Sequence, residues 1–141
     1  MMPDPVAMFA TVVLLFPMGY FLLAAPAFLL VSLDIPPVTQ LLRGMFSSYF
    51  LMVAIAGAVG TVAVALNGRL FVALGIALVA AFAVWARRWF LERWDAQLRA
   101  RDAGDAGAVR QLRRLHWGGM LCNAVQLVIL VGSIPYVVTP A

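Results

Sequence analysis

The sequence predicts an all-α integral membrane protein: a four-helix up-down-up-down bundle with a cytoplasmic helical hairpin between helices three and four. Three observations carry that prediction. Of 141 residues, 65% are hydrophobic and only 11% charged, with a mean hydropathy of +0.99, whereas soluble domains are near half apolar and a quarter charged. A chain this poor in polar residues must expose apolar groups over most of its surface, so its solvent is lipid. Residues 6–33, 45–66, 70–86 and 116–141 are free of charge, and about 20 apolar residues suffice to cross the hydrocarbon core as a helix. The basic residues, finally, gather in one of the intervening segments. Barrel strands would need alternating polarity, which is absent, so helices are the remaining way to satisfy the backbone in lipid.

In chain order, the predicted spans are 6–33, 45–66, 70–90 and 115–138, all within a single transmembrane domain, 1–141. The first contains Pro17 and Pro26, each of which removes a backbone donor and collides with a preceding carbonyl, so a kink or local unwinding is expected. Pro26 is also assigned to helix packing. Asp34-Ile35-Pro36-Pro37 offers an N-cap ahead of two prolines suited to a first turn, predicting a short interfacial helix before span two. Within span two, Gly57 and Gly60, with Ala54 and Ala58, form a small-residue face for close helix approach. Asn67-Gly68-Arg69 is too short a connection for anything but antiparallel neighbours.

Span three is short, but Trp85 and Trp89 can lie at headgroup level while Arg87 and Arg88 snorkel. Leu91, Trp94 and Leu98 recur at helical spacing, and Asp95 precedes Arg99 by one turn, so the helix continues to about Ala100. The stretch 102–107 supplies a turn, with Asp105 as cap for helix four. Segment 87–114 thus reads as an Arg-rich helical hairpin, and Trp85, Trp89, Trp94 and Trp117 as interface markers.

The net charge of +4 sharpens the orientation. Segment 87–114 holds eight Arg against four acids, which accounts for the whole excess. Such clustering marks the cytoplasmic side of an inner-membrane protein, with both termini outside, and it removes the nucleic-acid reading that a pI near 10.2 would otherwise invite. Arg87, Arg88, Arg110, Arg113 and Arg114 are the residues expected to dock anionic lipid headgroups or a partner. All ten basic residues are Arg, so lysine Schiff-base chemistry is excluded. A lone Cys122 and a lone histidine make neither a disulfide nor a four-ligand zinc site. Met1–Pro5 has no basic stretch of the kind that opens a signal peptide, so none is expected. No enzymatic role is predicted.

Polarity enters the membrane in one pattern. His116 and Asn123 stand two helical turns apart on span four and Gln126 follows three residues later, so all three share a face that should turn toward protein. Ser47, Ser48, Tyr49 and Tyr20 are the expected partners. One reading makes the stripe a path or pocket for a small solute, ion or proton, with His116 as its titratable member and Tyr49 and Ser48 beside it. Another makes it interhelical glue in a structural or accessory subunit, either a homo-oligomer or part of a larger membrane complex. A third makes His116 an axial haem ligand, together with Met120 or with the same histidine of a second subunit; otherwise no cofactor is expected.

Residues Phe16-Pro17-Met18-Gly19 through Ala25-Pro26-Ala27-Phe28, Leu42-Arg43-Gly44-Met45-Phe46-Ser47-Ser48-Tyr49-Phe50, and Leu115-His116 with Met120 and Asn123-Ala124-Val125-Gln126-Leu127 resemble the uncharacterised four-helix membrane proteins of the transmembrane-protein-205-like group. The resemblance spans most of the chain. Its recurring positions map to Pro26, Phe28, Phe46, Tyr49, His116 and Asn123. Gly118-Gly119 departs from the Ser often found there in the family. The resemblance implies an integral membrane protein without an assigned reaction.

Overall fold

The structure, a computed structural model, describes residues 4–139. It contains four helices, each long and apolar enough to cross a membrane. Helix α1 runs Pro5–Ala24, α2 Pro36–Leu66, α3 Leu70–Asp102 and α4 Ala108–Val138, with a 3-10 helix, Ala25–Leu30, following α1.

Local sequence sets most of the boundaries. Asp4 caps α1 by accepting the backbone N–H groups of Val6 and Ala7 at 3.0 and 3.2 Å, and Pro5 stands at the start, where a missing donor costs nothing. Pro17 is carried inside α1, whereas the α-helix gives way to the tighter 3-10 form just ahead of Pro26. Pro26 itself is exposed, so it shapes the backbone here and does not pack, contrary to the sequence expectation. Helix α2 starts at Pro36 with Ile35, not Asp34, at the N-cap. It continues unbroken to Leu66, so the expected short interfacial helix is simply its first turns. Two prolines pre-set the helical φ, and no residue after them interrupts the ladder. The tight turns fall at Gly68, φ +81°, and Gly104, φ +94°, conformations that favour glycine. Asp105 accepts the Gly107 N–H at 2.8 Å, but the N-cap position of α4 belongs to Gly107.

Helix α2 packs most extensively on α3, α1 lies against α2 and α4, and α4 also meets α3. The α2 glycines are where neighbouring backbones come closest. A Cβ on Gly57 would lie 2.8 Å from the Ala80 Cβ, and one on Gly60 3.3 Å from that of Ala10. Packed side chains such as Leu14, Phe21, Phe46, Phe50 and Phe90 fill the interior, while Leu30, Leu66 and Phe71 are more than four-fifths exposed. An apolar exterior of this kind suits lipid as the solvent. Trp94 corrects the interface reading: it is fully buried, stacked 5.6 Å from Phe90 and tilted against Phe46 at 6.1 Å. Among the described residues its indole N–H has no partner. Helical spacing carried Trp94 onto the inner face with Leu98, while Trp85, Trp89 and Trp117 stay outside.

Ionic clasps sit at the two ends. Asn67 donates to both Asp4 oxygens at 3.2 Å, Arg69 pairs with Asp4 at 3.3 Å, and Arg69 also donates to the carbonyls of Tyr136, at 2.8 Å, and Val137. The start of α1, the α2–α3 turn and the end of α4 are thereby joined. Burial pushes the Asp4 carboxyl up, but the N–H of Ala7, the Arg69 guanidinium and the N–H of Val6 outweigh it and hold the group below its ordinary value. At the opposite end Arg43 makes a bidentate pair with Asp95 at 2.7 and 2.9 Å, and Arg101 donates to the Leu33 carbonyl at 3.0 Å and the Thr39 hydroxyl at 2.9 Å.

Candidate functional site

The polar face of α4 is built against α1. His116, fully buried, places Nε2 2.8 Å from the Ala25 carbonyl and Nδ1 3.1 Å from Nη1 of Arg113. A carbonyl can only accept and a guanidinium can only donate, so these partners assign the tautomer: Nε2–H donates to Ala25 and Nδ1 accepts from Arg113. Both ring nitrogens are therefore engaged within the protein. Phe28 and Phe46 meet the imidazole edge-on, at interplanar angles of 88° and 89°.

Two turns along α4, Asn123, 1% exposed, accepts the Tyr49 hydroxyl at 2.6 Å and donates to the Met18 carbonyl at 3.1 Å. Met18 is inside a regular helix, so its oxygen uses its second lone pair for this bond. Ala25 and Met18 have the same spacing as His116 and Asn123, in reverse order, so the two segments are joined through matched side chain-to-backbone bonds. Tyr49 is itself fixed by stacking on Phe21, ring centroids 4.3 Å apart.

Arg113 extends this seam. Besides His116, it donates to the carbonyls of Phe28, at 2.8 Å, and Val31, at 2.5 Å, at the end of the 3-10 helix, where Phe28 also accepts the Val31 N–H at 3.4 Å and Val31 is the C-cap. A cation at that terminus also meets the negative end of the backbone dipoles. Between the two polar residues, Gly119 provides the space for Phe46: a Cβ built on it would lie 2.2 Å from one ring carbon of Phe46 and 2.7 Å from another. The sequence reading noted Gly118-Gly119 as a departure from the family pattern but gave Gly119 no packing role, although a Gly-Gly pair on the polar stripe was the available signal. Arg113 was likewise assigned to docking when its spacing from His116, one turn earlier on the same face, pointed inward.

The remaining expected residues divide. Gln126 is half-buried and lines a 320 Å³ cavity between α1, α3 and α4 with Thr11 and Ser133; among the described residues its amide has no side-chain hydrogen bond. Ser48 is exposed and Tyr20 is 65% exposed, both away from the stripe. Ser47 instead accepts Arg87 at 2.9 Å. Of the expected partners, then, Tyr49 alone pairs with the stripe. Of the expected docking arginines, Arg87 and Arg113 are turned into the protein, while Arg88, Arg110 and Arg114 are exposed. Among the described residues, no three His, Cys, Asp or Glu side chains converge as a metal site would require.

What this arrangement can do chemically is hold helices in register. His116 and Asn123 already have protein partners, and the residue best suited to proton transfer has one at each nitrogen. Comparison of the chain with family models, with curated proteins and with solved structures returned no match.

Proposed function

We propose that the protein is a non-enzymatic inner-membrane four-helix bundle, up-down-up-down, acting as a structural or accessory subunit in a homo-oligomer or a larger membrane complex. The observation that carries this reading is the engagement of His116 and Asn123: both are buried, and across helices they bond the Ala25 and Met18 carbonyls and the Tyr49 hydroxyl, with Arg113 holding the second nitrogen of the imidazole. Polar groups placed so in a membrane act as glue. The end-to-end clasps support the antiparallel order, and the Arg-rich end supports a cytoplasmic position for the α3–α4 turn with both termini outside. There Arg88, Arg110 and Arg114 would face anionic headgroups or a partner, with Trp89 and Trp117 beside the interface. The resemblance to transmembrane-protein-205-like proteins agrees with this reading, since Pro26, Phe28, Phe46, Tyr49, His116 and Asn123 cluster along or beside the α1–α4 seam.

A second reading, passage or binding of a small solute, is favoured by one feature, the 320 Å³ cavity where Gln126, Thr11 and Ser133 supply polarity, a size at the small end for ligand sites. Haem ligation at His116 would require the imidazole to leave the Ala25 carbonyl or Arg113.

Mild-detergent purification of the wild type and of Asn123→Ala tests the proposal. Copurification of stoichiometric membrane subunits, or a stable homo-oligomer, with assembly lost in the variant, is the expected result. A monomer that assembles with nothing, combined with a solute flux that Gln126→Ala abolishes while the fold persists, would replace this reading by the second. Sidedness is checked in a Cys122→Ala background: Asn67→Cys should label from outside and Ala106→Cys from inside, and reversed accessibility would overturn the orientation.

A further inference from the structure

The arginines divide into two sets. Arg43, Arg69, Arg87, Arg101 and Arg113 bond within the protein. Among the described residues, the exposed guanidiniums of Arg88, Arg93, Arg99, Arg110 and Arg114 make no hydrogen bond or ion pair. Two of this free set border the cleft between α3 and α4, where Phe82 faces Gly118, Leu121, Cys122 and Val125. Trp89 and Arg93 follow Phe82 by two and three helical turns and keep its face, while Arg114 stands one turn before Gly118 and keeps that one. Arg69, ahead of α3, bonds the carbonyls of Tyr136 and Val137 near the end of α4, so residue numbers rise along α3 as they fall along α4. The same count from Phe82 sets Trp89 level with Arg114, and Arg93 level with Gln111.

We infer that the Arg-rich end of the α3/α4 cleft binds one anionic phospholipid, its phosphodiester between Arg93 and Arg114 and one acyl chain along Phe82, Gly118 and Val125. Charge selects the head. The hairpin brings two guanidiniums to facing helices within about a turn of each other, with Arg110 beside them and Glu92 as the exposed acid nearby, so an anion between them relieves their repulsion. Arg93 lies over the Trp89 ring, 5.0 Å from its centroid, and Trp89 stacks on Trp85 at 6.1 Å. That stacking orients the guanidinium plane and leaves its N–H edges to donate. Depth selects a lipid over a protein. Both helices cross the same layers in the same order: apolar Phe82 and Val125, then tryptophan at Trp85, Trp89 and Trp117, then Arg93 and Arg114. These layers match the tail, glycerol and phosphate of a single phospholipid. A soluble acidic partner would reach the arginines without the slot beneath them, and an apolar helix would fill the slot without bringing an anion. The tail has room at Gly118, where an added Cβ would meet nothing within 4 Å. The inference rests on the proposed docking of anionic headgroups at this end of the protein, and names the cleft and the lipid.

The test places the full chain in phosphatidylcholine vesicles with a trace of phosphatidylglycerol that carries a diazirine in one acyl chain, followed by irradiation and peptide mapping. Saturable labelling of the segments 82–93 and 114–125 is expected. Unlabelled phosphatidylglycerol should compete at a mole fraction at least about fivefold lower than phosphatidylcholine, since each arginine near the surface contributes about that factor toward an anionic lipid. Arg93→Gln with Arg114→Gln should bring the preference close to one, whereas Arg88→Gln, exposed on a neighbouring face of α3, should leave it within about twofold. Gly118→Leu, built into open space, should reduce the saturable labelling without unfolding the chain. Labelling spread without saturation over all four helices would overturn the proposal. So would an Arg88→Gln loss equal to that of the Arg93/Arg114 pair, which would mean a diffuse basic surface, or competition by soluble glycerophosphate, which would make a small anion the ligand. Labelling that appears only after an acidic protein is stripped from the purified chain would make that protein the occupant and overturn it too. Release of the chain from membranes by alkaline carbonate would instead refute the membrane-spanning reading itself.

Discussion

Replacing Asn123 by Ala isolates the seam between α4 and its neighbours. The substitution deletes the 2.6 Å bond from Tyr49 and the 3.1 Å bond to the Met18 carbonyl. An interhelical hydrogen bond in a membrane protein contributes about 0.6 kcal/mol on average and up to about 1.7. The Met18 oxygen retains its helical partner, but the Tyr49 hydroxyl, on a residue only 4% exposed, is left buried without one, at a cost of about 1–3 kcal/mol. The expected destabilisation is about 2–3 kcal/mol. Tyr49→Phe alone should cost about 1 kcal/mol, and adding it to Asn123→Ala should cost almost nothing more, because the orphaned hydroxyl is then gone. The coupling from the double-mutant cycle should therefore be at least about 1 kcal/mol. Equilibrium unfolding in mixed micelles of a non-ionic detergent and dodecyl sulfate, followed by the fluorescence of buried Trp94, measures all four forms. Additive effects within about 0.3 kcal/mol would show that the pair contributes nothing to register and would remove the basis of the glue reading.

Gly119→Ala should overpack the Phe46 ring and destabilise by about 1–3 kcal/mol, and Phe46→Leu in the same chain should restore much of the loss; a neutral Gly119→Ala refutes the contact. Arg113→Gln withdraws the cation that satisfies Phe28 and Val31, so amide exchange of the segment after Ala25 should accelerate at least tenfold while that of the α2–α3 turn stays unchanged. The Asp4 carboxyl, held below its ordinary 3.8, contributes stability that is present above that value and lost as pH falls through its lower folded-state value. Thermal midpoints in detergent should accordingly drop at the acid end for the wild type. Asp4→Asn should lose this step and should be less stable than the wild type at neutral pH.

Helix number and kind were legible because lipid imposes one strong rule on composition, and residues 70–102 were legible beyond the span because Leu91, Trp94 and Leu98 keep the helical period. The same period also carried Trp94 inward, a consequence that the habit of reading tryptophan as an interface marker concealed. His116 and Asn123 could be found because polar groups in an apolar span stand out, and Tyr49 because it is polar and opposite. Their other partners could not be found: the acceptors are main-chain carbonyls of Ala25 and Met18, which every residue possesses and no side-chain pattern announces. For Arg113 and Gly119 the obstacle was different. Arg113 had a common role ready to hand in topology, Gly119 stood out only as a departure from a family pattern, and only packing reveals the contact that each makes.

The dependence of the Ala25–Leu30 turn on Arg113 and His116 has a bearing on the order of assembly. Helix α1 leaves the ribosome before α4, yet the carbonyls of Ala25, Phe28 and Val31 that follow it take bonds from His116 and Arg113 of α4. Until α4 arrives, those bonds have only water, headgroups or an insertion factor to replace them, so residues 25–31 reach their final form after α4 has been inserted. A nascent chain truncated before Arg113 should accordingly hold α1 in place while leaving residues 25–33 open to proteases that the finished protein resists.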